Sequence, residues 1–205
     1  MRILIACEYS GTERDAFIAA GHDAVSCDLL PSERPGPHYH GDVLKILNDG
    51  WDMMIAHPPC TYLSASGMHW TTRGLRDPQL TEDALEFVRA LMNCSIPRWC
   101  IENPVGAIST HIRKFDQMIQ PYDFGDDASK RTCLWLRGLP PLKETMRFPG
   151  RMVEWPRGSG KLVERWGNQT DSGQNKLPPS SDRWQKRSTS FAGIAAAMAA
   201  QWSII

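Results

Sequence analysis

Cys60 stands directly after Pro58-Pro59, and Glu102 opens a Glu102-Asn103-Pro104 run further along the chain. A cysteine behind two prolines sits on a stiffened loop, because proline fixes φ and withholds a backbone donor. An unpaired thiol there becomes a nucleophile where its thiolate is stabilised. A carboxylic acid reaching the same pocket can protonate a ring nitrogen while the thiolate adds to an electron-poor ring. Glu102 would suit that work as a buried carboxyl with a raised pKa. His57, beside the prolines, either polarises the thiol or hydrogen-bonds the loop. Asp28, 17 residues after Gly11, occupies the place where a ribose hydroxyl is commonly held, or that of an ordinary turn acid. The Glu8-Tyr9-Ser10-Gly11 turn has one glycine, well short of a full glycine-rich fingerprint.

The elements that must position these groups are legible in the apolar pattern. Short apolar runs at residues 3–7, 24–27, 52–56, 99–101 and 132–136 read as strands, the first four separated by segments long enough for crossovers. A helix through Ala16, Phe17 and Ala20 ends at Gly21. Residues 81–94 form the best helix, with Thr81 as its cap and Leu85, Val88, Leu91 and Met92 as its buried stripe. Residues 61–78 read as a lid loop, and residues 190–202 as a helix returning to the sheet. The expectation is an α/β domain with a mixed Rossmann-like sheet and helices on both faces. Residues 1–137 form its core, 138–187 a loop-rich insert of Pro, Gly, Trp and Arg, and 188–205 the closing helix. In an open α/β sheet, Glu8–Gly11, Asp28, Cys60 and Glu102 then fall outside the carboxyl ends of strands, where ligands bind.

Composition narrows the function classes. The 205 residues carry 23 basic and 23 acidic side chains, yet the balance is uneven along the chain. Residues 1–128 hold 10 basic and 18 acidic groups, and residues 129–205 hold 13 and 5. The basic second part points to an anionic partner or to a solvated surface. Arg157, Lys161 and Arg165, flanked by Trp155 and Trp166, pair phosphate-binding and base-stacking groups; Trp184 belongs to the same series. Each tryptophan equally suits a loop anchor. Arg157-Gly158-Ser159-Gly160-Lys161 follows no strand and reads as a mobile tip. The six cysteines form no CxxC pair, and no Cys or His cluster completes a zinc site, so neither a disulfide framework nor a metal is expected. The apolar N-terminal run is too short for a secretory signal and nothing is long enough to span a membrane. The expected compartment is the cytoplasm.

With these residues in view, the sequence resembles the cytosine-C5 DNA methyltransferase family, in a short form of the kind carried by phages and prophages. The resemblance runs in order through the first turn, Asp28, Asp42, Pro58-Pro59-Cys60, Glu102-Asn103-Pro104, Lys130-Arg131 and the last helix, nearly the whole chain. It implies the class I methyltransferase sheet and S-adenosylmethionine as cofactor. Cys60 would attack C6 of cytosine, Glu102 would hold the exocyclic amine and protonate N3, Asn103 would brace the loop and Arg131 would steady the base. The cofactor would meet Glu8, Tyr9, Ser10 and Gly11 at its methionine end, Asp28 and Leu29 at its ribose, Asp42 and Val43 at its adenine, and Pro58 nearby.

The chain departs from the family pattern in four places, two of them Pro104 in place of a valine and Lys130-Arg131 in place of an arginine pair. Cys7 stands near the usual phenylalanine with only Gly11 left in the turn, and about fifty residues replace the target-recognition domain. The implied partner is DNA, as a duplex with a flipped base or as a single strand, in the host cytoplasm if phage-encoded. A partner protein could supply target choice. The alternatives are the same chemistry on a cytosine nucleotide or RNA, transfer of another group, or a non-catalytic nucleic-acid-binding decoy.

Overall fold

The computed structural model describes residues 1–180 and 182–204, without the Trp184 side chain. Its elements are β1 (Arg2–Ala6), α1 (Thr12–Ala19), β2 (Asp23–Asp28), β3 (His38–His40), β4 (Met53–Ala56), α2 (Ala65–Thr72), α3 (Gln79–Met92), β5 (Arg98–Asn103), α4 (Ala107–His111), β6 (Gln117–Ile119), β7 (Thr132–Arg137), β8 (Arg151–Glu154), β9 (Leu162–Arg165), α5 (Arg183–Ser188) and α6 (Ala192–Trp202). Seven strands form one mixed sheet in the order β3-β2-β1-β4-β5-β7-β6. All pairs from β3 to β5 are parallel, whereas β7 runs antiparallel to both β5 and β6.

The central strands read as unbroken apolar runs because both faces are covered, the rule for parallel strands. Leu4, Met54, Ile101 and Trp135 face one layer, packed with Leu85, Val88 and Leu91 of α3. Ile3, Ile5, Met53 and Ile55 face the other, where Phe17 of α1 and Ile194, Met198 and Trp202 of α6 cover them. Trp202 is fully buried and donates its indole N–H to the Pro140 carbonyl at 3.0 Å. α6 was legible as a run of strong helix formers, and small alanines at Ala195, Ala197 and Ala199 let its backbone approach the core.

Several local expectations need correction. α3 begins at Gln79 behind Pro78, not at a Thr81 cap; Thr81 lies buried inside the first turn. Proline fits a helix start because its missing N–H would have no partner there. Residues 61–78 are not a plain loop: Ser64 caps α2 by accepting from Gly67 N at 3.1 Å. In the insert, β8 and β9 form an antiparallel hairpin with Val153 opposite Val163, and Arg157–Lys161 is its turn. No described helix is long and apolar enough to cross a membrane.

Candidate functional site

Two segments leave the sheet side by side at its carboxyl edge. β4 runs into His57-Pro58-Pro59-Cys60, and the neighbouring β5 ends in Glu102-Asn103. Asn103 locks them together: its Nδ2 donates to the Pro58 carbonyl at 2.7 Å from a buried position. The Cys60 carbonyl then accepts from Leu63 N at 3.1 Å and Ser64 N at 2.9 Å, closing a tight turn. That turn is pinned to the segment after β5, since Ala107 N donates to Leu63 O at 2.7 Å and Ala65 N to Val105 O at 2.9 Å. Gly67 and Gly106 permit the approach; a Cβ at either would collide with the carbonyl oxygen of Thr61 or Leu63.

Among the described residues, Cys60 is the only exposed cysteine. Burial raises the thiols of Cys7, Cys27, Cys94, Cys100 and Cys133, Cys27 to about 12 and Cys133 to about 11. Those five are held as inert thiols, which leaves Cys60 as the accessible thiol.

Behind the turn lies a buried acid–base cluster. His57 Nε2 is 2.8 Å from Glu13 Oε2, and His57 Nδ1 is 3.4 Å from Glu102 Oε2. Lys130 Nζ lies 3.8 Å from Glu102 Oε1, and Ser190 Oγ donates to Glu13 Oε2 at 3.0 Å. Burial alone would push Glu102 up, but the contact with His57, and then Lys130, holds its carboxyl down to about 2. The raised acid expected from the sequence is therefore corrected: Glu102 rests as a carboxylate because a cation sits against it. Burial disfavours the charged form of His57 too, and the charges of Glu13 and Glu102 outweigh it and raise its pKa well above the usual value. Glu8 goes the other way. Burial and the nearby Glu13 charge raise it, against bonds from Ser10 Oγ and from Thr12 N at 2.9 Å.

Glu13, His57 and Glu102 present ligand-type atoms within 4.8 Å of one another. The imidazole turns one nitrogen to each carboxylate, which is the arrangement of an ion triad. A metal ion would have to displace one of those contacts.

Beside the Cys60 turn a cavity of about 520 Å³ opens, within the range of small-molecule sites. Cys7, Asp28, Leu29, Asp42 and Val43 line one side of it, with Pro59, Tyr62 and Leu63 at the Cys60 loop and Phe87 of α3 opposite. It lies at the ends of β1 and β2, beside the β1–β4 pair where the strand order reverses. Asp28 Oδ1 accepts from Leu30 N at 2.9 Å, and burial raises its pKa. Asp42 Oδ1 accepts from Leu44 N at 3.0 Å.

The remaining expected residues are placed differently. Glu8, Tyr9, Ser10 and Gly11 are buried and do not line this cavity. Gly11 has φ +74° and leads into α1, and Tyr9 donates its hydroxyl to the Gln185 carbonyl at 2.8 Å. Arg131 is exposed, and Lys130 is the cation that reaches Glu102. Trp166 is not a stacking platform at the surface. It is 7% exposed, stacked on Tyr122 at 3.8 Å between centroids, and bonded through its indole N–H to the Phe148 carbonyl. Arg165 is half-buried with Nε on the Asp171 carbonyl at 3.1 Å. Arg157 and Lys161 remain exposed at the hairpin turn, and Trp155 is half-buried beside them. The Trp184 side chain lies outside the described residues.

Sequence reasoning missed Glu13, Lys130 as the near cation, and Ser190. Glu13 sits in the first turn of α1, an ordinary place for an acid at a helix N-terminus, so nothing in its local pattern marked it. No protein-family model matches the chain and no curated protein matches it in sequence.

Proposed function

We propose that the protein is an S-adenosylmethionine-dependent methyltransferase that modifies C5 of cytosine in DNA through a covalent adduct at Cys60. The observation that carries this reading is the lock between Pro58 and Asn103. It holds the Cys60 loop on the strand that ends in Glu102, while the residues around Cys60 wall the cavity lined by Asp28 and Asp42. The sheet order, with the antiparallel β7 between β5 and β6, supports the class I methyltransferase sheet.

The cavity's lining supports this choice of cofactor. Leu29, Val43, Leu44 and Phe87 offer apolar contact for an adenosine, and Asp28 and Asp42 offer acceptors for hydroxyl and amino groups. The bound cofactor supplies an electrophilic methyl group. Asn103 orients the loop, and Cys60, exposed at its turn, is free to approach C6 of a cytosine presented from outside. A base inside a duplex would have to be flipped to reach it. Glu102 accepts from the exocyclic amine as a carboxylate and hydrogen-bonds N3 once protonated. Lys130, near the position expected of Arg131, balances charge as the adduct forms.

Target binding falls to the exposed Arg157 and Lys161 at the β8–β9 turn, whose charges suit phosphates. A second reading keeps the chemistry and replaces DNA with a cytosine nucleotide or RNA. The use of Trp166 and Arg165 inside the insert favours it, because it shrinks the surface left for a long duplex. Mass spectrometry of nucleosides from cells expressing the protein separates the two. 5-Methylcytosine in DNA, lost in Cys60→Ser, is the expected result; modified cytosine only in RNA or in free nucleotides would move the assignment to the second reading. Unmodified nucleosides throughout would refute both.

A further inference from the structure

The acid–base cluster poses a chemical problem for the reading just given. N3 of cytosine must gain a proton as the thiolate adds to C6, yet Glu102 rests as a carboxylate against a cation. Two proton-bearing groups reach it, Lys130 Nζ at 3.8 Å and, closer, His57, whose Nδ1 lies 3.4 Å from Glu102 Oε2. On the opposite side of the ring, Nε2 lies 2.8 Å from Glu13 Oε2, yet it is buried and not aligned as a hydrogen bond. Glu13 is itself 1% exposed on its side chain and held by Ser190 Oγ at 3.0 Å. Three residues from three elements, α1, the β4 loop and β5, thus form a compact cluster whose ligand-type atoms lie within 4.8 Å of one another.

We propose that Glu13, His57 and Glu102 form a proton relay, in which the His57 imidazolium, steadied by Glu13, delivers its proton through Glu102 to the substrate ring nitrogen. The inference rests on the methyltransferase reading. His57 and Glu13 are positioning residues here, since only Glu102 would touch the base.

The step balances. His57 Nδ1 first gives its proton to the Glu102 carboxylate, which leaves a neutral imidazole. As Cys60 Sγ bonds to C6, the C5–C6 π pair moves to C4–C5, the C4–N3 π pair moves to N3, and N3 takes the proton from Glu102, which is a carboxylate again. C5 would then take the methyl group of the sulfonium, whose S–C pair stays on sulfur as a neutral thioether. Loss of the C5 proton to solvent expels the thiolate, and the N3 proton returns through Glu102 to His57. No oxidant, metal or further reactant is required.

The groups facing His57 fit this cycle. Glu8 and Glu13 approach from the turn before α1 and its first turn, and Glu102 from β5. Lys130 stands beyond Glu102 ahead of β7, and Ser190 ahead of α6. Glu13 and Glu102 face two basic side chains, His57 and Lys130, while burial and the Glu13 charge raise the pKa of Glu8.

Glu13→Gln removes the charge that favours the imidazolium and keeps the side-chain shape. Two measurements are combined. The histidine ring shifts of isotope-labelled protein, followed by NMR across neutral and alkaline pH, report the His57 titration with no need for turnover. Methyl transfer to a cytosine oligonucleotide, followed over the same range, reports the alkaline limb of the rate. The expected result is that Glu13→Gln lowers the His57 titration by about one pH unit or more and moves the alkaline limb by the same amount. At alkaline pH that is roughly a tenfold loss relative to wild type, with rates at mildly acid pH within about twofold. Ser190→Ala, which only frees Glu13, gives a smaller shift in the same direction and serves if Glu13→Gln does not fold.

A limb that stays in place while the His57 titration moves would overturn the relay and leave the methyltransferase reading intact. A His57 that titrates at its ordinary value in the wild type would overturn it too. No Cys60-dependent product from the wild type at any pH would overturn the methyltransferase reading, and the relay with it.

Discussion

The buried contact between Glu102 and His57 ties the stability of the fold to pH, whatever the protein acts on. Glu102 is held down from 4.5 to about 2, chiefly by the adjacent His57 acting against burial. A shift of about 2.5 units at about 1.4 kcal/mol each gives roughly 3 kcal/mol of stability at neutral pH. Because the folded-state pKa is depressed, that stability is present in full above the unfolded value and is lost as pH falls through about 2. Integrating the linkage, about 2 of the roughly 3 kcal/mol have gone by about pH 3. His57 has the opposite sign. Its raised pKa stabilises the fold fully below the usual histidine value of 6.5, and the effect fades as pH rises through its higher folded value. Glu8, also raised, adds stability at acid pH that fades as pH rises past 4.5. Wild-type curves therefore mix three groups. The comparison with Glu102→Gln isolates one. Urea unfolding of both proteins is expected to show the stability gap narrowing by about 2 kcal/mol between about pH 6 and about pH 3. A gap that stays constant to within about 0.5 kcal/mol over that range would refute the placement of Glu102 against a buried imidazolium.

Three further outcomes follow from the geometry. Gly106→Ala drives a methyl group into the Leu63 carbonyl and must push the Cys60 turn by about 1 Å, so methyl transfer should fall about a hundredfold; cofactor affinity, measured by calorimetry, should change far less, and unaltered transfer would show that the turn is not held at that contact. Trp166→Ala removes the stack on Tyr122 and should cost roughly 3 kcal/mol, read as a lower urea midpoint; a change under about 0.5 kcal/mol would show the ring to be peripheral. The double charge reversal Arg157→Glu with Lys161→Glu should weaken oligonucleotide binding and reduce its log–log salt slope by roughly 2; an unchanged slope would remove the hairpin turn from the nucleic-acid surface.

The parts of the molecule that were legible in sequence share a physical cause. β1, β4 and β5 are buried on both faces, so their composition had to be apolar and their ends fell at Glu8, His57 and Glu102. Asp28, Leu29, Asp42 and Val43 reach one cavity because β2 and the segment after β3 lie at the same sheet edge. β3 and β6 were not foreseen: each has three residues, too few for a periodic signal. α2 buries none of its residues fully and so carries no apolar stripe. The acid–base cluster was hidden for another reason. Glu13, His57, Glu102 and Lys130 are brought together by strand order and by α1 docking, and their protonation depends on mutual contact. A raised Glu102 was the natural expectation for a lone buried carboxyl; a neighbouring imidazolium reverses it. Trp166 shows the same limit, since a tryptophan among basic residues has the same local sequence whether it faces solvent or, as here, another ring.

The central claim is that Cys60 attacks C6 of a cytosine. It is tested most directly by incubating the protein with S-adenosylmethionine and an oligonucleotide bearing 5-fluorocytosine, whose C5 substituent cannot leave as a proton does. Intact-mass spectrometry should then show a denaturation-resistant complex at the summed mass of protein, oligonucleotide and one methyl group, mapped by peptide digestion to Cys60 and missing from Cys60→Ser. A wild-type protein that stays free of oligonucleotide, or an adduct that persists in Cys60→Ser, would contradict the account.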